Sequence, residues 1–129
     1  MNPDLLQLDE VLALHARQLA RFGGGSGVRD EGLLASAVAQ PQASFGGALM
    51  HETLEDMAAA YLFHIVSNHP FIDGNKRVGL LAALLFLHIN GVVVDHSSSD
   101  LYDLTIAVAS GQLSKEETTR RLRDILSRA

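Results

Sequence analysis

Apolar residues near the start of the chain fall three and four positions apart. Leu5, Leu8, Leu12 and Leu19, with Val11 beside them, predict an amphipathic helix over residues 4–22. Gly23, Gly24, Gly25 and Gly27 stop it, since glycine forms helix poorly and suits tight turns. A second helix is predicted over 31–40, capped by Asp30 and closed by Pro41. From 42 to 52 the helical period disappears, and the stretch reads as a loop or a short, weakly paired hairpin. Thr53 with Asp56 resembles a capping pair and opens a third helix through Ser67. Pro70 and the polar residues behind it interrupt the pattern. A fourth helix starts near Gly74 and reaches Ile89; from Leu80 to Leu87 it is apolar on every side, as in a helix surrounded by others. Asn90 and Gly91 end it, and Val92 to Val94 read as a short extended piece. Ser98 or Ser99 caps a fifth helix through Ser110, and Ser114 with Glu117 is a capping box for a sixth.

No segment repeats and no linker divides the 129 residues, a length that supports one core. The expectation is an all-α single domain over residues 1–129, a helical bundle around the buried fourth helix. Hydrophobic residues at 47% and charged residues at 19% suit a globular chain rather than a disordered one. The absence of cysteine excludes disulfides and thiolate metal sites, and is compatible with a reducing cytosol. No basic region precedes an apolar run at the start, so no secretory signal is expected. The longest apolar stretch, 78–89, is too short to span a bilayer, so no membrane association is expected. A net charge of -5 argues against sequence-independent contact with nucleic acid, which needs a basic footprint.

Against that acidic background, one of the two lysines, Lys76, stands beside Arg77 between the third and fourth helices. The segment reads His69-Pro70-Phe71-Ile72-Asp73-Gly74-Asn75-Lys76-Arg77. At the start of a helix the first backbone N–H groups lack partners and the macrodipole is positive, so an anion is welcome. Gly74 lets backbone approach a phosphate closely; Lys76 offers a point charge and Arg77 a planar fork. Asp73 would repel a phosphate unless a divalent cation lay between them, and magnesium binds in that way. Its ordinary alternative is a helix cap. His69 has a side chain suited to a general base, and its ordinary alternative is a histidine bonded to backbone at a helix end. Phe71 is assigned to packing. A metal hydrolase built on His64, His69 or His88 has no pair at i and i+4 to support it. His51 and His96 fall in expected loops and read as solvated, and Arg120, Arg121, Arg123 and Asp124 read as the solvent face of the last helix.

The run from His69 to Arg77 resembles the active-site motif of the Fic/Doc superfamily, and its Asn75-Lys76-Arg77 ending resembles the death-on-curing (Doc) toxin type. Gly23-Gly24, the stretch from Val28 to Leu34 with Ser36-Ala37, Leu84 to Leu87 with Asn90-Gly91, and Ala107 to Ser114 resemble the family's other segments, so the likeness covers nearly the whole chain. It implies a Fic fold and ATP as substrate with magnesium. His69 would take the proton of a target hydroxyl, Asp73 would hold the metal, and Gly74, Asn75, Lys76 and Arg77 would grip nucleotide phosphates. A flap of Ser44, Phe45, Gly46, Gly47, Ala48, Leu49 and Met50 would align the target chain. Doc-type members imply a kinase that moves the terminal phosphate onto elongation factor Tu and arrests translation in the cytoplasm. They also imply a cognate antitoxin whose disordered tail folds over the groove. The alternatives are an AMP transferase of the more widespread Fic kind and a non-catalytic protein-binding module of the same fold. Lys76, where most Fic proteins carry glycine, favours the kinase.

Overall fold

The computed structural model describes residues 3–45, 48–49, 51, 53–95 and 99–128. Local signals set most element boundaries. The Asp30 carboxylate accepts the Leu33 N–H at the start of α2 (Glu31–Ala39), and the Thr53 hydroxyl accepts that of Asp56 before α3 (Leu54–Asn68). Ser114 and Glu117 form a reciprocal capping box on α6 (Lys115–Ser127). Between α3 and α6 come α4 (Asn75–Ile89) and α5 (Ser99–Ala109). Pro41 does not stop α2 outright. The chain tightens there into a 3₁₀ turn over Gln40–Gln42, where the missing proline N–H costs nothing because first-turn donors are unpaired anyway.

The first helix, α1 (Leu8–Phe22), begins four residues later than its apolar spacing predicts. A capping box between Gln7 and Glu10 starts it, while the residues before it are strapped onto the core. The Leu6 N–H donates to the Tyr61 hydroxyl at 2.9 Å, and Asn90 receives the Asp4 N–H at 2.8 Å and donates to its carbonyl at 2.9 Å. The buried side of α1 is correspondingly turned. Val11 and His15 face inward, whereas Leu8 and Leu12, expected on the apolar face, are 41% and 37% exposed.

At the centre, α3 and α4 lie against each other. Gly79 makes the approach possible, since a Cβ there would stand 2.6 Å from Val66 Cγ2. Leu84, Phe86 and Leu87 of α4 are buried as expected, but α3 shares the central place, carrying Met57, Tyr61, Leu62 and Ile65 into the same core and touching α2, α5 and α6 as well. The loop-or-hairpin stretch is a hairpin: β1 (Ser44–Phe45) pairs antiparallel with β2 (Ala48–Leu49), with Ser44 opposite Leu49. Val92 to Val94 carry no ladder, and Val93 is 91% exposed. Ser98, one of the two caps expected for α5, lies outside the described residues. Among the described residues no helix is long and apolar enough to cross a membrane.

Candidate active site

The loop between α3 and α4 is held from outside itself. His69 ends α3 in the left-handed region, φ 48 and ψ 54, and is the non-glycine residue with positive φ among the described residues. Such a conformation costs on the order of 1 kcal/mol or more and persists only where neighbours impose it. Arg29 is the neighbour. Its Nε donates to the His69 carbonyl at 2.7 Å and its Nη2 to that of Asn68 at 2.9 Å, satisfying two of the orphan carbonyls at the end of α3. The N–H groups of Arg29 and Asp30 both donate to the Pro70 carbonyl, and the Ile72 N–H donates to Gly27. With its backbone fixed, the exposed His69 ring makes no hydrogen bond to a described residue and faces a cavity.

Farther along, Asn75 clamps the loop. Its Oδ1 accepts the Phe71 N–H and its Nδ2 donates to the Phe71 carbonyl, both at 3.0 Å. The amide expected to grip phosphate is therefore engaged with backbone, and Asn75 also carries a backbone N–H at the first position of α4. Phe71 is buried, as assigned, and the His15 ring from α1 stacks on it at 3.9 Å with 11° between planes. His15 Nε2 also bonds the Asp73 carbonyl at 2.9 Å.

Asp73 does not cap α4. Its Oδ1 accepts the N–H of Gly74, the N-cap residue itself, and its Oδ2 accepts the Gly25 N–H at 3.3 Å. Gly24, at φ +119, brings backbone so near that a Cβ would stand 2.7 Å from Asp73 Oδ2. No side chain caps α4, so its first N–H groups stay open beside the cavity. Lys76 and Arg77 are exposed on the first turn with no ion pair among the described residues. The Arg77 guanidinium rests over the Phe22 ring at 4.3 Å, an exposed cation–π contact worth about 0.5–1 kcal/mol. A charge-assisted bond to phosphate is worth roughly 1.5–3 kcal/mol, enough to draw it away.

A cavity of about 500 Å³ gathers His69, Ile72, Asp73, Gly74, Asn75, Lys76 and Arg77 on one side. Tyr102, Thr105, Ile106 and Ala109 of α5 form the other. The sequence reading brought together the first group and missed the second, as it missed Arg29 and His15. A lone Arg in a loop and a lone His on a helix carry no mark of their partners, and which helix faces α4 is not written in α5's own pattern. One open carboxylate beside an uncapped helix start suits magnesium, which takes one or two carboxylates and completes its shell with phosphates and water. It does not suit an all-protein cage, and the described residues hold no group of three or more potential metal ligands.

The other histidines stand apart from this cavity. His64 lies on α3 with Nε2 buried and unpartnered among the described residues; burial first, then Lys115 and His51, push its pKa down to about 4. His88 is exposed toward the far end of α4, so the three histidines of the hydrolase reading do not meet. His51 is not solvated as expected but 6% exposed, with its pKa lowered chiefly by burial. The chain returning from the hairpin lays it against the core. His96 lies outside the described residues, as do Gly46, Gly47 and Met50 of the expected flap. Arg120, Arg121, Arg123 and Asp124 are exposed as expected, with Arg123 paired to Asp56.

Comparison with known proteins gives a family model, described as Fic/DOC family, that matches residues 5–87. The chain is similar to Toxin Doc of Mycolicibacterium smegmatis, 51% identical over 85 residues that cover 66% of this chain and 65% of that protein. It is also similar to Protein kinase doc of Escherichia phage P1, 38% identical over 120 residues, 88% of this chain and 91% of that one.

Proposed function

The chain belongs to the Fic/DOC family, and from that premise we propose that it is a Doc-type toxin acting as a protein kinase. It would transfer the terminal phosphate of ATP to a hydroxyl of a translation factor, elongation factor Tu, and so arrest translation in the cytoplasm. The observation that carries the reading is the cavity, where the His69 imidazole, the Asp73 carboxylate, the Lys76 and Arg77 cations, which have no ion pair among the described residues, and an uncapped helix start share one opening. Its relatives' names, a toxin and a protein kinase, support the same reading.

In this mechanism His69 takes the proton of the attacking hydroxyl. Asp73 would hold magnesium, whose charge would offset that of the nucleotide phosphates when bound. The N–H groups of Asn75, Lys76 and Arg77, with the Lys76 and Arg77 side chains, bind the phosphate oxygens; Gly74 leaves them room to approach. The hairpin of Ser44, Phe45, Ala48 and Leu49 would take an extended target segment along its edge. An antitoxin with a disordered tail would silence the enzyme by folding over the same groove.

The deciding experiment incubates the protein with ATP, magnesium and a cell lysate, then reads the intact mass of modified proteins. A phosphate-sized adduct on elongation factor Tu is expected. An AMP-sized adduct would replace the kinase by an AMP transferase, and no adduct from a folded protein would leave a binding module.

A further inference from the structure

The His15 ring meets the loop at Phe71 and at the Asp73–Gly74 peptide and does not line the cavity. It is 5% exposed, lies flat on Phe71 and bonds the Asp73 carbonyl through Nε2; a Cβ on Gly74 would stand 3.7 Å from its Cδ2. A carbonyl only accepts, so Nε2 carries a proton and donates it.

The Asp73 carbonyl and the Gly74 N–H belong to one planar trans peptide, in which they point to opposite sides. Anchoring the oxygen on His15 therefore aims the N–H the other way, and there it donates to Asp73 Oδ1 at 2.9 Å. The carboxylate is thus held through a peptide plane whose far edge is fixed by α1. Nothing at residue 74 itself enforces this plane. Gly74 sits at φ +83, and glycine accepts either sign of φ, so φ at residue 74 does not oppose turning the peptide over. The only other described donor to the carboxylate, the Gly25 N–H, is long at 3.3 Å.

We propose that His15 is a positioning residue that sets the Asp73–Gly74 peptide plane and, through it, the direction of the Asp73 carboxylate. The consequence for magnesium rests on the reading of Asp73 given above; the geometric part does not. His15→Phe keeps a ring on Phe71 and removes the donor, whereas His15→Gln removes the ring and keeps an N–H donor. Two quantities are read for each: hydrogen exchange of the Gly74 amide by NMR, and ATP affinity with and without magnesium by calorimetry.

In folded His15→Phe the Gly74 amide is expected to exchange at least about tenfold faster. The gain in ATP affinity from magnesium should fall by about tenfold, with metal-free affinity unchanged, and His15→Gln should recover most of both. A folded His15→Phe protein with wild-type Gly74 exchange overturns the proposal, as does a loosened Gly74 amide with the magnesium gain intact. If the wild type binds no magnesium–ATP, the kinase reading fails while Gly74 exchange still decides the positioning role. Should neither variant fold, the ¹⁵N spectrum of wild-type His15 decides: a proton on Nε2 supports the donor, and a bare Nε2 overturns it.

Discussion

The structural part of His69 lies in its backbone, which leaves the side chain free for the role proposed above. The bonds to Arg29 use main-chain carbonyls, so His69→Ala should keep the fold and lose transfer by roughly 10²–10⁴-fold, the usual worth of a general base. Circular dichroism and target phosphorylation read the two effects, and wild-type turnover in the variant would remove His69 from the mechanism. Asn75 presents the reverse case. Its amide makes two buried-side bonds worth roughly 0.5–1.5 kcal/mol each, so Asn75→Ala should lower the thermal midpoint as well as activity. Stability unchanged from wild type would show that the clamp is dispensable. That His69, Asp73, Lys76 and Arg77 line one cavity was legible in the sequence, because they fall in one short run at the start of a helix. The clamp was not: an asparagine that binds a loop and one that binds a ligand look alike until the loop's path is known.

Helix-to-helix contacts govern the next scale. Gly79 lets α3 and α4 touch, and the nearest atom to a new Cβ would be a methyl of the stiff, β-branched Val66. Alanine should raise intrinsic helix preference by about 1 kcal/mol, yet overpacking costs roughly 1–3 kcal/mol, so Gly79→Ala should destabilise on balance. Adding Val66→Ala should then recover part of the loss in a denaturant titration. If Gly79→Ala alone is more stable than wild type, the helices have room to spare. Capping pairs at Asp30, Thr53 and Ser114 made helix starts readable, because each satisfies an orphan N–H within four residues. The start of α1 was misplaced because leucine spacing hides the Gln7–Glu10 capping box, and because the residues before it are tied to Tyr61 and Asn90, far off in the sequence.

Across the whole molecule, the all-α fold was readable from periodicity, whereas the joint centre of α3 and α4 was not: the Ala58-Ala59-Ala60 run looks unremarkable until it is packed. Phe86 is wholly buried, so Phe86→Asp should unfold the protein, since an unpaired buried charge costs several kcal/mol, roughly a small domain's stability. A folded monomer by size-exclusion and circular dichroism would contradict this. Stability should also depend on pH through the back of α3. The folded pKa of His64 lies near 4, below its ordinary 6.5, so the unfolded chain takes up a proton first as pH falls. That contribution is intact above about pH 6.5 and lost between there and about pH 4, with His51 adding in the same direction. Thermal midpoints of wild type should therefore fall more steeply over that range than those of His64→Leu; parallel curves would refute it. One consequence of the cavity's far wall concerns how the protein is made. His69 and Asp73 come from residues 69–77, whereas Tyr102, Ile106 and Ala109 line the cavity from α5. A chain still being synthesised, with α5 inside the ribosome, would hold the His69–Arg77 segment without that wall, so under the function proposed above the nucleotide site would be completed only once α5 has emerged.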